Sequence, residues 1–254
     1  MLIDAHCHLD DEQFANELGA LLARAADAGV GMVITAGADV ASSQAAVALS
    51  EKYDAVYAVV GVHPEHSAAF DEAAQKAIRA LALHPKVVGI GEIGLDLYWA
   101  QNPIRQIQEH ALLAQLDLAQ ELDKPVVIHD RSAHAELMKI LRERGGKPQG
   151  MLHCFSGDLE MARQAIDLGY YISFAGNVTF KNARPLQEIA RALPLERILV
   201  ETDSPYLSPR RGQRNEPANV TLVAAKIAEL KNIETPVVHQ ATARNSQALF
   251  GLPE

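Results

Sequence analysis

The sequence predicts an α/β fold in which eight parallel strands close into a (β/α)8 barrel, and three observations predict it. Eight short β-rich runs alternate with amphipathic helical stretches along the 254 residues. Their C-terminal ends fall near residues 8, 36, 63, 92, 129, 153, 175 and 203, so the steps are roughly 20 to 40 residues, a strand plus a returning helix. A hydrophobic content of 48% is enough for one large core, so a single domain over 1–254 is the expected organisation. Strict βα alternation calls for parallel strands with right-handed crossovers, and a doubly wound open sheet is the second closure compatible with it.

The elements follow in order. "MLIDAHCH" (1–8) is the first strand, and "DEQFANELGALLARAADAG" (11–29) repeats apolar residues at three and four and stops at Gly29. "VGMVITAG" (30–37), "AVYAVVGVHP" (55–64) and "KVVGIGEIG" (86–94) supply the next three strands. The helical run "IRQIQEHALLAQLDLAQELD" (104–123) ends before Lys124 and Pro125, where "PVVIHD" (125–130) begins. "GMLHCFSG" (150–157), "YYISFAG" (170–176) and "RILVETD" (197–203) complete the set. Two helices follow, "EPANVTLVAAKIAELKN" (216–232) and "TPVVHQATARNSQALFG" (235–251), one of them the eighth barrel helix. There is no low-complexity segment and no linker rich in Pro, Gly or Ser.

Composition excludes several functions. A net charge of −9 argues against a broad basic surface that grips nucleic acid by neutralising many phosphates, but leaves room for phosphate contact at one local site. Two cysteines form no disulfide framework, which fits a reducing compartment. No apolar run is long enough to span a membrane, and no signal segment opens the chain, so a soluble cytoplasmic protein without a membrane partner is expected. Nothing in the pattern implies an obligate protein partner.

The polar residues at the strand ends carry the chemistry. Side chains alternate along a strand, so His6 and His8 share one face while Cys7 points away. His63, Glu92, His129, His153 and Asp203 occupy the same end-of-strand position, and in a closed barrel these ends ring one mouth. A lone histidine there is ordinarily a hydrogen-bonded bystander. Several imidazoles and two carboxylates buried together leave charges and lone pairs uncompensated unless a cation joins them. Imidazole and carboxylate without thiolate suit zinc or manganese, and leave magnesium possible. More donors than one tetrahedral centre needs implies two divalent metal ions, with Glu92 as the bridge between them. Asp4 and Glu201 lie two residues before ligands and are expected to hold metal-bound histidines from behind. Cys7 and Cys154 are expected to be packing residues.

Taken together, "DAHCHLD", "GVHP", "VVGIGEIGLD", "VVIHDR", "HCFSG", "ETDSPYL" and "RNEP" resemble the TatD family of metal-dependent hydrolases, within the amidohydrolase superfamily, from residue 3 to about 218. The resemblance implies a (β/α)8 barrel with a divalent-metal centre and deoxyribonuclease activity, including 3′→5′ exonuclease action on DNA. It places ligand roles on His6, His8, Glu92, His129, His153 and Asp203, and a substrate-phosphate or transition-state contact on His63. The connection "SPRRGQ" between the last two motifs is a loop that varies among relatives.

The expected reaction is hydrolysis of a phosphodiester by a water activated at the ions, with Asp203 orienting it and accepting its proton. The catalytic set is thus Asp203, Glu92 and His63, and DNA is the expected partner. Arg131, Lys181, Arg210, Arg211 and Arg214 lie on the mouth side, where arginine suits phosphate, and Phe155, Tyr98, Trp99 and Tyr206 are the aromatics near enough to stack bases. The same Lewis acids polarise a carbonyl, so an amide, lactone, phosphotriester or aminoacyl-tRNA ester hydrolase is a second reading, and a non-catalytic metal-dependent nucleic-acid-binding protein a third. No inward lysine is apparent for carbamylation, and Glu92 occupies that kind of position.

Overall fold

Runs dense in Val, Ile and Leu between Gly and Pro become strands. In the computed structural model, which describes residues 1–253, these are β1 (Leu2–Cys7), β2 (Val30–Ala36), β3 (Val56–Val60), β4 (Val87–Asp96), β5 (Val126–Arg131), β6 (Gly150–Leu152), β7 (Tyr171–Phe174) and β8 (Ile198–Val200). All neighbours from β1 to β8 pair in parallel and in chain order. The seam between β8 and β1 is closed just beyond the strands: the Asp203 N–H donates to the His6 carbonyl at 3.0 Å and the His8 N–H to the Ser204 carbonyl at 2.8 Å. Deeper in the seam, the Asp4 carboxylate accepts from the Thr202 N–H at 2.8 Å and from its hydroxyl at 2.6 Å. The sheet is therefore a nearly closed barrel, and the open doubly wound alternative falls away.

Helices return the chain between strands: α1 (Leu18–Asp27), α2 (Val40–Lys52), α3 (Glu72–Ala82), α4 (Arg105–Glu121), α5 (His134–Glu143), α6 (Leu159–Asp167), α7 (Arg184–Ala192), α8 (Val220–Lys231) and α9 (Thr235–Phe250). Asp39, Asp71 and Asp158 start α2, α3 and α6 by accepting N–H groups that the first turn leaves free. The expected helix over 11–29 is divided. Asp11 caps a short 3₁₀ turn, Glu12–Phe14, that seats the buried Phe14, and the α-helix begins only at Leu18. Likewise the run from 216 turns first through Pro217–Asn219 before α8 begins.

The apolar residues form two layers. Ile3, Ala5, Ile34, Ala36, Val59, Val127, Met151 and Leu199 fill the barrel, together with Ala243 and Phe250 of α9 and Leu252 beyond it. Their neighbours along the strands, among them Val33, Val60, Ile128 and Val200, pack outward against helix residues such as Leu21, Ile78, Leu112 and Ile227. Helices cover the outside and α9 packs against β1 and β8, so the polar strand ends gather at the opposite mouth. Among the described residues, no helix is long and apolar enough to cross a membrane.

Candidate metal centre

Alternation along four strands delivers site residues without interruption. Val59 leads to His63, Val127 to His129, Met151 to His153, and Leu199 to Glu201 and Asp203, all in steps of two from an interior residue. β1 and β4 behave differently, with register irregularities between Asp4 and Cys7 and between Ile90 and Ile93. Ile3 and Ala5 fill the barrel, yet His6 also faces the centre, so the alternation shifts between them. This is why Asp4, expected behind a histidine, sits instead in the seam on Thr202. In β4 the same shift turns Glu92 inward although Ile90 packs outward. Gly94 lets β4 run tightly along β5 at this level: its φ is +151° and a Cβ there would lie 1.9 Å from the His129 carbonyl oxygen.

Glu92 stands in the middle with its two oxygens facing different partners. Oε2 lies 3.4 Å from His6 Nε2 and 3.6 Å from His8 Nε2. Oε1 lies 2.8 Å from His129 Nδ1, 2.9 Å from His153 Nε2 and 3.5 Å from His63 Nε2. Asp203, at φ +55°, brings Oδ1 to 3.7 Å from His6 Nε2 and 3.4 Å from His8 Nε2. The six donors expected to ligate are therefore together, in two sets that meet at Glu92.

The far nitrogen of each imidazole decides what the near one offers. His8 Nδ1 faces the Ala36 carbonyl at 3.3 Å, His153 Nδ1 faces Glu201 Oε1 at 3.2 Å, and His129 Nε2 faces Asp96 Oδ2 at 3.3 Å. Those oxygens only accept, so they can hold the proton of each ring whenever a cation takes the inward nitrogen, which then offers its lone pair. Glu201 is itself held by the Ser173 hydroxyl at 2.5 Å and the Cys154 N–H at 2.8 Å, and the histidine it stands behind is His153. His63 is reversed. Its Nδ1 accepts from the Glu65 N–H at 3.2 Å, which leaves the inward Nε2 with the proton. Of these rings, His6 alone has an orphaned buried nitrogen, Nδ1.

The donor set fits a small cation. Ligands about 2.0–2.1 Å from a tetrahedral centre stand about 3.3–3.4 Å from one another. The contacts among His6, His8, Glu92 Oε2 and Asp203 Oδ1 run from 3.3 to 3.7 Å. The second set, Glu92 Oε1, His129 and His153, is tighter, at 2.8 to 3.3 Å. Groups able to hold an ion are His6–His8–Asp203, His6–Glu92–His153 and His63–Glu92–His129, the last disfavoured by the proton on His63.

Without a cation, protons take its place. Burial opposes charge on His8, but the hydrogen bond to Asp203 and the charge of Glu92 push its pKa up to about 9. His153 and His129 are raised as well, against burial, by Glu92 with Glu201 and by Asp96 with Glu92. Burial takes His63 down to about 3, with His129 and His153 adding to the effect, and lowers His6. Above the ordinary value of 6.5 the unfolded chain is neutral at these positions while folded His8 keeps its proton. Stability from the raised histidines is therefore complete below that pH and drains away toward about 9, while His6 and His63, neutral in both states, contribute no slope. Thermal melts in EDTA are expected to fall in Tm across this window. With manganese the fall disappears, because deprotonation favours metal binding. Parallel curves in the two media would contradict the exchange of protons for metal.

A cleft of about 380 Å³ opens beside Glu92, His129, His153 and Asp203, lined toward β1–β3 and β8 by His8, Asp10, Asp11, His63, Glu65, His66 and Tyr206. None of the expected arginines lines it. Arg131 lies against Tyr98 and Trp99, and Lys181, Arg210 and Arg211 are exposed. Arg214 is committed elsewhere: it pairs with Glu17 at 2.5 Å, donates to the Gln13 carbonyl and lies over Phe14. Phe155 is buried in the core and offers no stacking face. Cys7 packs in the outer layer, whereas Cys154 lies past the end of β6 at φ +41°, its sulfur accepting from Asn177 at 3.8 Å.

Asp96 has no role in the sequence-based reading, although it follows Glu92 and Gly94 at steps of two. It orients His129, so Asp96→Ala is expected to weaken metal affinity about 10–100-fold, measured by competition with a chelating dye. Unchanged affinity would leave Asp96 a structural residue only.

Comparisons with known proteins point to a family of metal-dependent hydrolases. A family model described as TatD related DNase matches residues 3–251. A Bacillus subtilis protein named as an uncharacterized metal-dependent hydrolase, YabD, is 39% identical over 253 residues, covering 98% of this chain and 99% of its own. A Shigella flexneri protein named 3′-5′ ssDNA/RNA exonuclease TatD is 36% identical over 259 residues, covering 99% of both. The crystal structure of the TatD homologue YjjV from Escherichia coli superposes with a TM-score of 0.93 at 34% identity, over 99% of this chain and 98% of that one.

Proposed function

The chain belongs to the TatD family of metal-dependent hydrolases, and on that premise we propose that it is a deoxyribonuclease that removes nucleotides from 3′ ends of DNA by phosphodiester hydrolysis. The observation that carries the reading is Glu92, whose two oxygens face two sets of inward imidazole nitrogens. We assign His6, His8, Glu92 and Asp203 to one divalent ion and Glu92, His129 and His153 to the other, with zinc, manganese and magnesium as the candidates. Such ions supply a water of lowered pKa and offset the charge of the phosphate oxygens.

The chain's own groups do the rest. Asp203 presents Oδ1 to His6 and His8, which leaves its second oxygen to orient the attacking water and take its proton. Its carboxyl stays below the usual carboxylate range, since hydrogen bonding to His8 and the neighbouring imidazoles outweigh its burial. His63 keeps the Nε2 proton as a neutral ring and donates it as a hydrogen bond to a phosphate oxygen. Asp96 and Glu201 hold His129 and His153 in the tautomers that face inward. Among the described residues no lysine lines the cleft, which favours a Glu92 bridge over a carbamylated lysine.

The nuclease assignment draws on the name of the Shigella flexneri relative and on the donor His63. Its test is turnover of 5′-labelled single-stranded DNA, duplex DNA and RNA with manganese, magnesium or zinc, beside ester and lactone panels. A ladder shortening from the 3′ end of DNA is the expected result. Ester or lactone turnover with intact oligonucleotides overturns the assignment and leaves the metal-dependent hydrolase.

A further inference from the structure

We propose that Tyr98, Trp99 and Arg131 form a base-stacking platform that receives a single nucleic-acid strand as it leaves the metal centre over β4 and β5. The proposal rests on the nuclease reading and adds where the body of the chain lies.

Tyr98 and Trp99 are 56% and 46% exposed, large apolar surfaces that the fold leaves in water at the mouth. Their rings meet edge to face at 4.8 Å, and the Arg131 guanidinium lies over both, 4.3 Å from the Tyr98 ring and 5.1 Å from the Trp99 ring. Arg131 pairs with no carboxylate among the described residues, unlike Arg214. Aromatic faces with an unpaired arginine match a strand of alternating bases and phosphates.

The platform is fixed to the centre. Asp96 accepts the Tyr98 N–H at 3.0 Å through Oδ1 while Oδ2 faces His129, so one carboxylate places both a candidate ligand and the start of the aromatic loop. Asp96 and Arg131 are register partners, and the Leu97 N–H donates to the Arg131 carbonyl at 2.9 Å.

Charge decides the direction. The cleft on the other side carries Asp10, Asp11 and Glu65, and no arginine or lysine among the described residues. A strand continuing that way would bring phosphates against carboxylates. The cleft therefore takes the terminal nucleotide, and the remaining chain runs over Arg131. A duplex hides its base faces in its own stack and gains nothing from the platform.

Trp99 is the only tryptophan, so its fluorescence reports the platform directly. The probe is a thymidine decamer with phosphorothioate linkages that block hydrolysis, titrated into the magnesium-loaded protein. Saturable quenching is expected, with none from a blunt duplex, an abasic decamer or inorganic phosphate. Tyr98→Leu, read by the same quenching, and Trp99→Leu, read by anisotropy of a labelled decamer, each weaken binding about 5- to 150-fold, the range for losing one stacked base. Equal quenching by the abasic decamer or the duplex, or unchanged affinity in both variants, overturns the platform. Hydrolysis of single-stranded DNA without quenching removes the platform and leaves the nuclease, whereas quenching without hydrolysis of any nucleic acid removes the nuclease and leaves a binding site.

Discussion

Replacing Glu92 with alanine is expected to abolish turnover and to leave the protein short of its full complement of metal. One carboxylate serves both proposed ion positions, with Oε2 toward His6 and His8 and Oε1 toward His129 and His153, so its loss withdraws a ligand from each at once. It also removes the negative charge that favours the charged forms of His8, His129 and His153 in a buried site. The fall in kcat is expected to exceed the roughly 10²–10⁴-fold typical of losing one proton-transfer group. Glu92→Gln keeps the volume and loses the charge, and it should behave in the same way. Elemental analysis of purified protein, with kcat measured at saturating manganese, reads both effects. Full activity in either variant contradicts the shared-bridge arrangement.

Asp203→Asn is the second large effect, and it differs in kind. Asparagine tolerates the left-handed backbone that Asp203 adopts at φ +55°, so the loop keeps its course. What disappears is the charged acceptor, and with it the anionic character of one proposed ligand, so kcat is compared at saturating manganese, where the ion positions are filled. A loss of about 10²–10⁴ in kcat is expected, with KM little changed, because the interaction belongs to the transition state. Wild-type Asp203 is already ionised well below neutrality. The variant's rate should instead climb with pH where the wild type has levelled off, as hydroxide from solvent replaces the missing acceptor. A loss carried by KM alone would move Asp203 from proton transfer to substrate binding.

The barrel was legible because each return helix is separated from the next strand by a change of period, and the ring of polar residues at its mouth because His63, His129, His153 and Asp203 follow strands that alternate without a fault. Asp4 shows where that logic stops. A two-residue rule holds only while the pleat is regular, and β1 shifts its register between Asp4 and Cys7. Asp96 was within reach of the same rule, yet only its contacts with His129 and Tyr98 give it a role. Arg214 was out of reach, since its partner Glu17 lies 197 residues away in sequence and nothing in local spacing links them. The helix expected over 11–29 starts late, at Leu18, for a similar reason: Phe14 is anchored by tertiary burial, which periodicity does not record.

The seam between β1 and β8 unites two jobs. The backbone bonds that close the barrel join Asp203 to His6 and His8 to Ser204, and the side chains of His6, His8 and Asp203 belong, with Glu92, to one of the two donor sets. A cation gripped there would act as a clasp between the first strand and the last. It could be seated only after the chain has come full circle, so metal uptake would mark the final stage of folding, and loss of the ion would loosen the barrel first at its own join.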